Sequence, residues 1–106
     1  MTPRTLQILL ALVDGPLHGY GIRAEVEERT GGDVRIGAGT LYEAIQRLEV
    51  EGLIRETAAP RNADAAGGPP RRFYALTAAG RVALREELRR LDQIVRSAPA
   101  RTVLNG

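Results

Sequence analysis

The chain of 106 residues is long enough for one domain around a single hydrophobic core. It contains no cysteine and one histidine, which excludes a disulfide framework, a thiolate metal site and most histidine-based catalysis. We therefore expect neither a metal nor a cofactor, and we do not expect an enzyme. Apolar runs stay well short of the roughly 18–20 residues that span a bilayer, and the N-terminus lacks a signal-peptide pattern. These features predict a cytoplasmic protein of bacterial type without a membrane partner.

All basic side chains are arginines, and 15 of them face 13 acidic residues for a net charge of +2. A guanidinium group suits phosphate and the edge of guanine. The charge changes sign along the chain, from −2 over residues 31–56 to +3 over residues 78–106. This small and uneven excess is only weak support for nucleic-acid binding.

Three helices are predicted in the first half of the chain. The first begins with Thr2 as its cap and ends before Gly15, and the second runs from Gly19 to Thr30. The third covers 37–50, where three apolar residues recur at helical spacing: Leu41, Ile45 and Leu48.

Alternating and aromatic segments predict the strands. Val34 and Ile36 on either side of an arginine indicate a short strand. Residues 53–57 and 72–76 indicate a hairpin, and the stretch between them, rich in alanine, glycine and proline, predicts a long loop. A fourth helix is predicted from a Thr77 cap to about Ser97.

This order predicts a mostly α fold with a small β-hairpin, a winged helix-turn-helix followed by a C-terminal dimerisation helix. We assign residues 1–77 to the DNA-binding domain, 78–98 to the dimerisation helix and 99–106 to a flexible tail. The hairpin loop, 58–71, is the wing.

The third helix is the candidate for reading DNA, because a helix about 10–12 Å across fits the major groove. Gln46 and Arg47 suit adenine and guanine edges, and Thr40 lies in the first turn, where free N–H groups favour phosphate. A purely structural role is the alternative, since leucines at this spacing are typical of core packing and Glu43 repels phosphate.

The fourth helix carries the dimer prediction. Leu84, Leu88, Leu91 and Val95 are spaced 4, 3 and 4 apart, which is typical of a coiled-coil seam. Packing against the first helix of a second copy would cover this seam, and folding back on its own domain is the alternative. The predicted interface comprises Leu6, Leu9, Leu10, Leu84, Leu88, Leu91, Ile94 and Val95.

Three stretches together resemble the PadR family of bacterial transcription regulators. They are LLALVDGPLHGYGIRAEVEERTGG at 9–32, GAGTLYEAIQRLEVEGLI at 37–54 and GPPRRFYALTAAGRVAL at 68–84. Glu43 departs from the family, which usually has proline after the tyrosine of TLY, and this affects the expected base preference.

The resemblance implies a dimeric repressor in which Tyr20 and Tyr42 lie against the DNA backbone. A ring packed between the first two helices is the alternative for Tyr20, and His18 is expected to satisfy a backbone group in the turn. The full set of expected DNA contacts is Tyr20, Arg23, Gly39, Thr40, Tyr42, Glu43, Gln46, Arg47, Arg61, Arg71 and Arg72.

The function expected from these features is that of a homodimeric regulator, a repressor on a pseudo-palindromic operator in double-stranded DNA. The alternative is a winged-helix protein-interaction module without specific DNA binding. A small hydrophobic effector stays an open question. The single phenylalanine and three tyrosines argue against an aromatic sandwich around such a ligand.

Overall fold

The computed structural model of the protein describes residues 1–61 and 71–106. Within these ranges the chain forms five helices and three short strands, named here in chain order. They are α1 (Pro3–Ala11), β1 (Leu17–His18), α2 (Gly19–Arg29), α3 (Ala38–Val50), β2 (Ile54–Thr57), β3 (Phe73–Leu76), α4 (Ala78–Arg96) and α5 (Ala98–Leu104).

The ends of the first two helices follow the local chemistry of the sequence. The Thr2 hydroxyl accepts a hydrogen bond from the amide of Thr5 at 3.1 Å, which caps α1. Gly31 and Gly32 follow the end of α2, both with positive φ, and Gly32 N–H donates back to the Glu27 carbonyl at 2.8 Å. The predictions for both helices are confirmed.

The sheet has three antiparallel strands in the order β1-β3-β2 rather than two. The predicted hairpin is confirmed as β2 and β3, and β1 adds Leu17 opposite Tyr74 and His18 opposite Phe73. A two-residue strand is too short to show alternation in a sequence. Its effect is to join the start of α2 to the base of the wing.

The predicted strand over Val34 and Ile36 is wrong, because this segment is irregular. The Ile36 side chain is 5% exposed and anchors the entry to α3 in the core. Its carbonyl accepts a hydrogen bond from Arg23 Nε at 2.8 Å, so a side chain takes the acceptor that a strand partner would need.

The core lies between α1, α2, α3 and the sheet. Its fully buried residues are Ile8, Leu9, Leu12, Ile22, Val26, Leu41, Ile45, Leu48 and Ile54. The predicted apolar stripe of α3 is therefore confirmed as its core-facing side. Burial of this stripe fixes which side of α3 remains in solvent.

The α4 helix leaves the domain soon after it begins. Thr77 caps it through a 2.9 Å bond from the Gly80 amide, and Leu84 at 4% exposure is its last fully packed side chain. Leu88, Ile94 and Val95 are 41 to 50% exposed, so the alternative of a helix folded back on its own domain is wrong.

Two sequence predictions, on the dimer interface and on the C-terminal tail, need correction. Leu9 and Leu84 belong to the core of the protomer, which leaves them no surface for a dimer interface. The predicted flexible tail at 99–106 is helical over most of its length, because Pro99 occupies the first turn of α5, where a missing N–H costs nothing.

The chain measures 53 Å along its longest axis. None of the helices in the described ranges has the length and apolar character of a membrane span.

Candidate nucleic-acid interface

One continuous exposed stripe runs along the solvent side of α3. Gly39, Glu43, Gln46 and Val50 are spaced 4, 3 and 4 apart, which places them on one line opposite the buried leucines. All four are exposed, and open space lies beyond the Gly39 Cα. The stripe therefore exposes backbone, carboxylate and amide groups on a surface that takes no part in core packing.

Two tyrosines border this stripe on the side of α2. Tyr42 is 56% exposed and Tyr20 is 71% exposed. The Tyr42 hydroxyl lies close to Gly19, 4.0 Å from where a Cβ would stand, so the first turns of α2 and α3 adjoin. The alternative of a Tyr20 ring packed between the first two helices is wrong, since the ring is largely in solvent.

Thr40 and Arg47 lie on the opposite flank of α3. Arg47 Nε pairs with Glu51 at 3.8 Å, and its Nη2 is 3.5 Å from the Thr5 hydroxyl. Arg47 also lines an open groove of about 870 Å³ beside the start of α1. In this structure the arginine is thus turned towards α1, and Gln46 is the base-reading candidate that points outwards.

Arg23 supports the helix-turn-helix from within. Its Nε bond to the Ile36 carbonyl links the middle of α2 to the residue that precedes α3. The guanidinium is partly buried there. The structure gives Arg23 a role in positioning α3, which the sequence prediction did not include.

The sequence assigned His18 to a backbone contact, and the structure confirms that contact. Its Nδ1 accepts a hydrogen bond from Gly21 N–H at 3.0 Å, which caps α2. The edge of the ring contacts Phe73 with centroids 5.2 Å apart, and the Tyr20 ring is stacked at 6.3 Å. Burial lowers the pKa of His18, and the nearby positive charge of Arg71 lowers it further.

The base of the wing is basic and exposed. Arg71 Nη1 lies 3.0 Å from His18 Nε2, and Arg72 Nε pairs with Glu56 at 3.8 Å. Arg61 is also exposed at the opposite end of the loop. Of the predicted wing, residues 62–70 lie outside the described residues. Among those that are described, no group of three His, Asp or Glu side chains is placed to hold a metal ion.

Comparison with known proteins decides the family. The family model described as "Transcriptional regulator PadR-like family" matches residues 8–86, from the last turn of α1 to the first half of α4. The chain belongs to the PadR-like family. The motif-based resemblance is thereby confirmed, and so is the winged helix-turn-helix fold. A transcriptional regulator of this kind has a DNA-binding rather than an enzymatic role.

Two curated relatives differ in how much of their length is matched. The transcriptional regulator Rv3488 of Mycobacterium tuberculosis is 37% identical over 101 residues, which cover 95% of this chain and 82% of the relative. An uncharacterized 37.1 kDa protein encoded in a Streptomyces fradiae transposon is 52% identical over 48 residues. That match covers 45% of this PadR-like chain and only 13% of the Streptomyces protein.

Solved structures show the same architecture. A winged-helix DNA-binding protein from STIV has a TM-score of 0.72 at 26% identity, with 91% of this chain and 95% of that one covered. Bacillus subtilis PadR, solved in complex with operator DNA, has a TM-score of 0.68 at 24% identity. The match covers 82% of this chain and 47% of the Bacillus protein, and at this identity it supports the fold alone.

Proposed function

We propose that this PadR-like protein is a homodimeric, cytoplasmic repressor that binds a pseudo-palindromic operator in double-stranded DNA. The observation that carries the proposal is the exposed stripe of α3, bordered by Tyr20 and Tyr42 on one side and standing beside a basic wing base. Side chains on one line of an exposed helix can reach base edges, while tyrosine hydroxyls and arginines beside them bind the flanking phosphates.

The start of α3 adds a second phosphate-binding element. Gly37 caps this helix without a side-chain acceptor within the described residues, so the N–H groups of the first turn face solvent. Such groups favour an anion at a helix N-terminus. Thr40 stands in the same turn with its side chain exposed.

An exposed apolar face on α4 supports operator recognition by a dimer. Leu88 and Val95 are seven residues apart on one face, both at least two-fifths exposed, with the half-buried Leu91 between them. A second copy related by two-fold symmetry would cover this apolar face. The two α3 helices would then meet half-sites one helical turn, about 10 bp, apart.

A selection experiment tests the proposal. Sequences bound by the protein are selected from a random duplex pool, and the winning site is titrated at 50 and 200 mM salt. We expect an inverted repeat, two chains per duplex and an affinity that falls steeply with salt. Transcription from a promoter that overlaps the site should fall when the protein is added. Selection of a non-repeated site or activation of that promoter would contradict the dimeric repressor.

The acidic side chains of α3 favour one alternative. Glu43 and Glu49 are exposed, and the arginine of this helix is paired with Glu51. A surface of this charge suits a protein partner better than a phosphate backbone. If the chain binds no duplex even at 50 mM salt, the interaction module is the better description.

A further inference from the structure

The two ring nitrogens of His18 each contact a hydrogen-bond donor at the junction of α2 and the wing. The imidazole of His18 contacts the Gly21 amide through Nδ1 and the Arg71 guanidinium through Nε2, each at 3.0 Å. The backbone amide and the guanidinium are both donors only. A neutral imidazole has one acceptor nitrogen and one N–H, so it cannot accept from both of them.

The backbone contact decides which nitrogen carries the proton. Gly21 N–H lies in the first turn of α2, where no intrahelical acceptor is available, and losing such a cap destabilises the helix. Arg71 is an exposed side chain that water can solvate. Nδ1 is therefore the acceptor, and Nε2 carries the proton and points at a second donor.

Two donors 3.0 Å apart repel each other unless an acceptor joins them. We propose that His18 Nε2–H and the Arg71 guanidinium together bind one backbone phosphate of DNA. This inference rests on the DNA-binding function proposed above, and it adds His18 as a phosphate ligand. A nonbridging phosphate oxygen accepts from both groups and turns their repulsion into two charge-assisted hydrogen bonds.

The surroundings hold the imidazole in place for this role. The Phe73 and His18 rings form an edge-to-face pair, the Tyr20 ring lies roughly parallel with its centroid 6.3 Å away, and the β1–β3 pairing sets His18 opposite Phe73. Since Arg71 lies only two residues before the start of β3, the same pairing brings it within 3.0 Å of His18. A phosphate bound there would contact α2 and the wing at once.

Nitrogen NMR of the single histidine tests the tautomer and the contact separately. A long-range ¹H–¹⁵N spectrum of the intact protein should show an unprotonated Nδ1 and a protonated Nε2 at pH 7.5. Addition of a 20-bp random-sequence duplex should shift the Nε2 signal and slow exchange of its proton. A protonated Nδ1 would overturn the inference. An unchanged Nε2 signal while backbone amides of α3 shift would overturn it and leave DNA binding intact.

Substitutions supply an independent measurement of affinity. His18→Ser keeps a capping side chain but removes the Nε2 donor, and it should weaken binding of the same duplex about tenfold with an unchanged salt slope. Arg71→Ala should weaken binding and also reduce the salt slope by about one. In the double variant the two losses should not add, because both donors hold one phosphate.

Arg85→Ala is the matched control, since this exposed arginine of α4 is remote from the junction and its loss removes the same charge. Circular dichroism of each variant reports whether α2 stays folded. Full additivity in the double variant, or a His18→Ser protein that binds like the wild type, would overturn the shared phosphate. Absence of any duplex binding by the wild type would overturn the proposed function along with it.

Discussion

Gly80 in the first turn of α4 lies directly against the carbonyl oxygen of Leu53, so closely that a Cβ on Gly80 would overlap that oxygen. The same turn is tied down by two hydrogen bonds from Thr77. Its amide donates to the Leu53 carbonyl at 3.1 Å, and its hydroxyl donates to the Gly52 carbonyl at 2.6 Å. This close approach fixes the direction in which α4 leaves the winged domain.

Gly80→Ala should therefore destabilise the protein by about 1–3 kcal/mol, the usual cost of overpacking a tight contact. Urea unfolding followed by circular dichroism measures the change in the free energy of unfolding. Gly39→Ala is the matched control, because a Cβ there meets open space in a helix and should be neutral or stabilising by less than about 1 kcal/mol. Equal stabilities of the two variants would show that the backbone can shift away from Leu53.

Glu43→Gln should raise the affinity for a random duplex by roughly threefold at low salt, because an exposed carboxylate on the outward stripe repels phosphate. Preference for the selected operator should shrink if this carboxylate accepts from a cytosine amino group. Fluorescence anisotropy with both duplexes measures the two effects. Glu86→Gln, an exposed acid on α4, is the control. An equal gain in affinity for the Glu86→Gln variant would show that the effect comes from the net charge of the protein and not from the position of Glu43 on α3.

Leu88→Glu combined with Val95→Glu should give monomers, since four negative charges would then face each other across the proposed seam of the dimer. Analytical ultracentrifugation of the variant measures the mass, and operator affinity should fall with it. Gln93→Glu adds a charge on the opposite, exposed face of α4 and should remain dimeric. A dimer that survives the double substitution would mean that the copies pair through another surface.

Stability should fall on acidification because of His18. Its pKa in the folded chain is lowered from the ordinary value of 6.5, first by burial and then by Arg71. Well above pH 6.5 the imidazole is neutral in both the folded and the unfolded chain and adds no pH dependence. As the pH falls below 6.5, the unfolded chain binds the proton first, so the free energy of unfolding decreases.

Urea unfolding of the wild type and of His18→Asn between pH 7.5 and 5 isolates this contribution. An asparagine caps a helix without titrating, so the wild type should lose stability relative to the variant as the pH is lowered. The difference should level off once the folded imidazole is protonated as well. Parallel pH curves would show that protonation leaves the cap of α2 intact.

The helices were predicted best from the sequence where interactions between neighbouring residues determine their ends and their buried side. Thr2 and Thr77 cap their helices through their own hydroxyls, and the glycine pair at 31–32 ends α2 because it adopts positive φ. The apolar stripe of α3 identified its outward side in the same way. These features depend on neighbours within about four residues, and short-range patterns record them.

The sequence patterns did not predict the contacts between residues that are distant in the chain. The strand formed by Leu17 exists only because β3 lies beside it, and the Ile36 carbonyl bonds to the Arg23 side chain instead of to a neighbouring strand. The helical spacing likewise predicted that Leu84 lies in a dimer interface, although this side chain is buried in the core of the protomer.

The sequence by itself determined the helix-turn-helix, the hairpin and the family, because capping, periodicity and motif spacing are written in neighbouring residues. Only the tertiary structure decided that His18 faces Arg71 across 53 positions of the chain, and that α4 leaves the domain after Leu84. The physical reason is that burial and donor–acceptor pairing between remote segments depend on how the elements pack, which no local pattern specifies.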